Sequence, residues 1–314
     1  MAAITDRLYF TLEGKRHEIA LDTTSAPRTV AQLLAHLPAK IDLHCAKIAG
    51  RHIFWHAPFI APLEKGQDVL TVPPGTFLYW PERQFLELVY GELQAESAQI
   101  TVLGRLAGDI RWLVDLGERL RHEQGHRILW ASLEPGRPVT TADGTLALRA
   151  ERVSSPIPHD SALEDDSRFK MLTTARTEAW EAEPKSVTEL VSRRGILLPF
   201  GPLAMAEGEF RKLQELLWRY AVAPTSRYRD EVRAEASAFL IEAAIARIVN
   251  LCGMDECGDV LNSTAQLLRE RPEAHPAILT EMILYSGRMA AWLDLYIPWN
   301  DLNESVLAAY RSKR

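Results

Sequence analysis

Short segments of alternating polarity crowd the first half of this chain, whereas apolar residues recur at helical spacing in the second. Residues 7–13 and 16–21 alternate about Gly14-Lys15, the signal of a two-residue hairpin. Further strand-like stretches follow at residues 43–48, 52–56, 69–72, 77–80, 84–90, 99–103, 126–133 and 145–153. Two helical patterns interrupt them. Residues 27–37 open with Pro27 and place Val30, Leu33, Leu34 and Leu37 on one face, and residues 109–121 are capped by Asp109 and stopped at Gly125. So many short strands with so few helices predict a closed β-barrel, which leaves no exposed edges, rather than a doubly wound parallel sheet. No G-x-G-x-x-G or Walker sequence occurs, so a nicotinamide or nucleotide cofactor is not expected.

Beyond the strand-rich half the pattern changes twice. Residues 154–185 carry Ser154-Ser155-Pro156, Pro158-His159-Asp160 and the acidic run Glu164-Asp165-Asp166 with little periodicity, and read as a linker or lid. From Ser186 onward helical spacings dominate, at about residues 186–194, 206–220, 228–251, 255–270, 275–296 and 300–311. A chain of 314 residues, 47% hydrophobic, exceeds the ~250 residues at which single cores tend to split. The expected class is α+β: a barrel domain over residues 1–153, a linker or lid over 154–185, and a helical bundle over 186–314.

A formal net charge of -6 and a pI near 5.9 argue against a nucleic-acid surface, which needs clustered excess cations. No apolar run approaches the ~20 residues that span a bilayer, and residues 1–10 have neither the charged n-region nor the apolar h-region of a secretory signal. Three cysteines, Cys45, Cys252 and Cys257, fit a reducing cytoplasm, and no second Cys/His pair near Cys252 and Cys257 completes a zinc site. On a strand His52 and His56 share a face ~13 Å apart, too far to hold a metal together, so no metal is expected.

Chemistry concentrates in Phe77 to Glu92, F-L-Y-W-P-E-R-Q-F-L-E-L-V-Y-G-E, read as two adjoining strands. Phe85, Glu87 and Val89 share one face of the second strand, and Leu86, Leu88 and Tyr90 the other. Glu87 therefore sits among apolar neighbours, where desolvation of its charged form would suit it to acid/base work near neutral pH. A solvated edge-strand carboxylate is the competing expectation.

Ala26-Pro-Arg-Thr-Val-Ala-Gln-Leu-Leu34 resembles the A-P-x-T-x-x-x-F helix of cyclophilin-like barrels, and Val89-Tyr90-Gly91 resembles the Y-G strand of their small bacterial relatives. With a helical bundle entered at Leu198-Pro-Phe-Gly-Pro202 and Trp299-Asn-Asp-Leu-Asn303 near its end, the chain resembles the cucumopine and mikimopine synthases and the related β-carboline-forming Pictet-Spenglerases. His44 to His56, H-C-A-K-I-A-G-R-H-I-F-W-H, lacks the F-M-x-Q-x-G-D-F strand of cyclophilin-type prolyl isomerases, which puts proline isomerisation in doubt.

The resemblance implies a cofactor-independent cyclase in the barrel pocket that joins an aromatic amino acid, tryptophan-type or histidine, to an α-keto acid or aldehyde. Such an enzyme dehydrates the carbonyl adduct to an iminium, lets the ring attack, and removes the ring proton; one tuned carboxyl can serve the first and last steps. Glu87 is the first choice for that carboxyl and Glu92 the second, with Tyr90 and Tyr79 as hydrogen-bonding partners. Substrate carboxylates ask for cations, here Lys47, Arg51, His56, Arg83 and Arg288, and an aromatic ring asks for stacking faces, here Trp55 and Trp80. Each has a plainer role open to it: Arg51 in a turn, Trp55 and Trp80 in the barrel core, Arg288 reaching for solvent. Partners are small molecules, a homodimer is compatible with the sequence, and the competing functions are a small-carboxylate binding module and a residual prolyl isomerase.

Overall fold

A computed structural model describes residues 7–47, 49–94, 98–136, 161–193, 200–222 and 228–312. The chain divides into two compact units, residues 1–155 with 298–314, and residues 156–297.

The first unit is built on β1 (Arg7–Leu12), β2 (Lys15–Leu21), β3 (Ala39–Asp42), β4 (His44–Cys45), β5 (Gly50–His56), β6 (Gln67–Asp68), β7 (Thr76–Trp80), β8 (Phe85–Leu93), β9 (Gln99–Leu106) and β10 (Trp130–Pro135). The β1–β2 turn is centred on Glu13-Gly14, both at positive φ, one residue earlier than the sequence suggested. The sheet runs β3-β10-β1-β2-β9-β7-β8-β5-β4, antiparallel throughout, with β6 paired to β9. Its two edge strands, β3 and β4, follow one another in the chain across Leu43, so the ends of the sheet meet and the barrel is nearly closed.

Period-two alternation divides the side chains of this wall. Phe10, Ile19, Trp55, Phe77, Tyr79, Leu88, Tyr90, Leu103 and Leu133, drawn from strands all round the sheet, converge in one buried cluster that fills the interior. Two helices contribute to it: α1 (Pro27–Ala35) through Val30 and Leu33, and α2 (Arg111–Glu123) through Leu113, Leu116 and Leu120. The first turn of α1 is capped from afar, the Glu64 carboxylate accepting from the amides of Arg28 and Thr29 at 3.1 and 2.8 Å. A second, smaller cluster of Phe54, Val69, Val72, Leu78, Trp80, Phe85, Val89 and Ile100 lies on the other face of β5, β7, β8 and β9.

Some local expectations shift. Residues 69–71 form a 3₁₀ turn, because Asp68 caps it by accepting from the Leu70 amide, and residues 43–48 yield only the short β4. The strand expected at residues 145–153 lies outside the described residues.

The second unit is helical: α3 (Ser161–Asp165), α4 (Ser167–Glu181), α5 (Lys185–Ser192), α6 (Gly201–Val222), α7 (Asp230–Ile248), α8 (Asp255–Glu270) and α9 (His275–Leu295). Helix α9 is buried on nearly every side and packs against α6 and α4, while α7 pairs with α8. The stretch expected as linker or lid thus holds α3 and α4; Asp166 caps α4 by accepting from the Arg168 amide, and Leu172 and Ala179 anchor it. Helix α10 (Trp299–Arg311), expected as part of the bundle, groups with the barrel unit, where Asp301 meets His126 at 2.7 Å and Pro298 abuts Gly125. No helix of the described residues is long and apolar enough to cross a membrane.

Candidate active site

Strand register assembles a polar group on the outward face of the barrel wall. Glu87 on β8 is flanked by Leu78 of β7 and by Phe54 of β5, and Phe54 is in turn opposite His44 of β4. One rung along, Trp80, Phe85 and His56 stand in line; one rung the other way, Val89 faces His52. The result is a fully buried carboxyl with imidazoles on two sides and aromatic rings between them.

The rings are packed closely. Phe54 and Phe85 stack at 4.3 Å between centroids, His44 stacks on Phe54 at 4.9 Å, and His56 meets Phe85 edge-on at 4.8 Å. His52 Nε2 lies 3.7 Å from Glu87 Oε2. Burial, and then the positive charge of Arg83, push the His52 pKa down to about 4, so this imidazole is neutral at neutral pH. Arg83 itself sits in the β7–β8 turn with its guanidinium 4.8 Å above the Trp80 ring.

The sequence-derived candidates separate into groups. Glu87, His56, Trp80 and Arg83 come together on this face. Tyr90 does not, because odd and even residues of β8 part: its ring lies in the filled interior over Gly117 of α2, and burial raises its pKa. Glu92 has the same parity as Tyr90 and is exposed near the end of β8. Trp55 and Tyr79 also point inward; the Tyr79 hydroxyl accepts from the Ala61 amide at 3.2 Å, and burial raises its pKa. The expected barrel pocket is therefore core, filled by these rings, and the polar cluster is on the opposite side of the wall. Arg51 is exposed and lies along Gly91, and Lys47 holds its ammonium 4.2 Å over the Trp299 ring.

Arg288 belongs to α9 of the helical unit. It is buried, with Nε donating to the Ala179 carbonyl at 3.2 Å and its guanidinium 4.3 Å and 5.2 Å from the rings of Trp292 and Trp180. The Trp292 indole N–H donates to the same carbonyl at 2.8 Å.

Sequence reasoning passed over Asp42, His44, His52 and Phe54 as site residues. His52, Phe54 and His56 alternate visibly along one strand, but nothing in the sequence says that this strand pairs with β8. Among the described residues no group of three His, Cys, Asp or Glu side chains is placed to hold a metal ion.

Comparison with known proteins bears on the fold. The model of a cyclophilin-like family matches residues 10–123. The structure of McbB in complex with tryptophan matches with a TM-score of 0.73 at 16% identity, over 95% of this chain and 99% of that one. A solution structure of a hypothetical protein from Archaeoglobus fulgidus aligns over 42% of this chain and 96% of its own at 21% identity, with a TM-score of 0.33, too low to bear on the argument. No curated protein matches the chain. The barrel is thus of the cyclophilin-like fold, and the chain with its helical continuation shares its overall fold with the McbB structure.

Proposed function

We propose that this chain is a Pictet-Spengler cyclase, condensing an aromatic amino acid of the tryptophan type, or histidine, with an α-keto acid or aldehyde, in the manner of the cucumopine synthases and β-carboline-forming enzymes. The observation that carries this reading is Glu87, a carboxyl withdrawn from water and walled by Phe54, Phe85, His52 and His56. Burial without bulk water makes such a carboxyl a proton carrier rather than a solvated charge.

The chemistry asks for that. The carbinolamine of amine and carbonyl loses its hydroxyl as water when Glu87 gives it a proton, leaving an iminium. The ring carbon attacks the iminium, and the Glu87 carboxylate then removes the ring proton, restoring both the aromatic ring and its own acid form. Water excluded from the face protects the iminium from hydrolysis. The ring of Trp80 suits an indole or imidazole, and Arg83 beside it suits a substrate carboxylate. The shared fold with a protein whose structure holds tryptophan supports an amino acid as one substrate.

Mass spectrometry of the purified protein with tryptophan or histidine and either 2-oxoglutarate or small aldehydes tests the reading. A stereochemically single product at the summed masses less one water, absent with Glu87→Gln, is the expected result. A failure of every pair to react would turn attention to a binding module for small carboxylates.

A further inference from the structure

Two buried polar side chains on the Glu87 face have no part in the mechanism above. Alternation through β3 and β4 sends Ile41, Leu43 and Cys45 into the barrel and turns Asp42 and His44 outward. Both are buried, and His44 Nε2 lies 3.4 Å from Asp42 Oδ2. The imidazole stacks on Phe54 and touches the edge of His56, 5.3 Å between centroids. Because His44 is opposite Phe54 and Phe54 opposite Glu87, the backbones of His44 and Glu87 are two strand spacings apart, about 10 Å. Phe54, stacked between His44 and Phe85, therefore separates two acid/base groups that lie on one face of the sheet.

The condensation poses a proton problem that Glu87 does not solve by itself. Near neutral pH an amino-acid amine is an ammonium and has no lone pair with which to attack a carbonyl. Glu87 must begin protonated to expel the hydroxyl, so it cannot accept the ammonium proton as well. We infer that His44, oriented and charge-balanced by Asp42, is a second acid/base centre of this site, and that it takes the proton of the substrate ammonium. Asp42 is then a positioning residue, and the whole inference rests on the cyclase reading.

The protons balance. The ammonium gives one proton to the His44 imidazole, forming imidazolium beside the Asp42 carboxylate, and the freed lone pair makes the C–N bond to the carbonyl carbon. The nitrogen's next proton passes to the former carbonyl oxygen, Glu87 supplies one more, and water leaves. Glu87 recovers its proton from the ring, and the imidazolium returns its own to the secondary amine of the product. The titratable and charged groups that share this face with His44 among the described residues are Asp42 from β3, His52 and His56 from β5, Glu87 from β8 and Arg83 from the β7–β8 turn.

The test measures kcat/KM against pH for wild type, His44→Gln and Asp42→Asn with tryptophan and an aldehyde, beside nitrogen NMR of wild type labelled at imidazole. His44→Gln should lose about 100-fold at pH 7, and the loss should shrink about tenfold per pH unit as free amine becomes abundant, with KM little changed. A loss independent of pH would mark a merely structural role and overturn the inference. On binding tryptophan, His44 of the wild type should become imidazolium; an imidazole that stays neutral with the amine bound overturns the inference even if the variants fail to fold. A wild type that forms no product yet protonates His44 on binding would sink the cyclase reading and keep the proton acceptor, whereas no binding of the amine would sink both.

Discussion

Across the β5–β8 pair, His52 Nε2 stands 3.7 Å from Glu87 Oε2, with both side chains withdrawn from solvent. Burial and the charge of Arg83 keep this imidazole neutral, its pKa lowered to about 4. It is therefore a neutral polar neighbour of Glu87 rather than a counter-ion, set just beyond hydrogen-bond distance of the carboxyl.

Stability should follow pH through His52. Its folded pKa of about 4 lies below the ordinary value of 6.5, so between these values the unfolded chain binds the proton that the folded chain refuses. Stability is full above pH 6.5 and falls as the pH drops toward 4, by up to about 3 kcal/mol from this group. Chemical unfolding at pH 7 and pH 4.5 should show a smaller difference for His52→Phe than for wild type.

Arg83 lowers the pKa of His52 through its charge. Replacement by Gln removes that repulsion while burial remains, so the His52 pKa should rise yet stay below its ordinary value. A proton NMR titration of the His52 ring in Arg83→Gln reads this directly; an unmoved midpoint would mean that burial accounts for the whole depression.

Much of the barrel could be read from the sequence because its signals are local. The 7–12 and 15–21 hairpin, the proline-led α1 and the parity of β8 depend on residues within a few positions of one another. That same parity separates Tyr90 from Glu87, so the sequence itself places them on opposite faces of β8. The site was less legible because β5 pairs with β8 across the whole of residues 57–84, and neither strand's sequence names its partner. Helix α4 resembles a linker in sequence for a different reason: only Leu172 and Ala179 of its residues are buried, and two such positions make no apolar stripe.

Glu87→Gln should divide the kinetic constants. The amide keeps the size of the side chain and can still hydrogen-bond, so KM for the amine should stay within about threefold, while kcat falls by about 10²–10⁴ for loss of the proton carrier. Steady-state kinetics at pH 7 checks this. Equal losses in kcat/KM carried by KM alone would make Glu87 a binding group.

Tyr90 and Gly117 should behave as core. The ring of Tyr90 occupies the place where a Gly117 Cβ would stand, so a side chain there must displace an aromatic packed inside a filled barrel. Overpacking of this kind costs about 1–3 kcal/mol, and Gly117→Val should lower the unfolding midpoint accordingly. Tyr90→Phe keeps the ring and removes only a hydroxyl on the far side of the wall from Glu87, so turnover should remain within about threefold of wild type, well short of the loss expected for an acid/base group. A large fall in kcat for Tyr90→Phe, with stability unchanged, would mean that chemistry reaches the interior face and that the filled core opens during turnover.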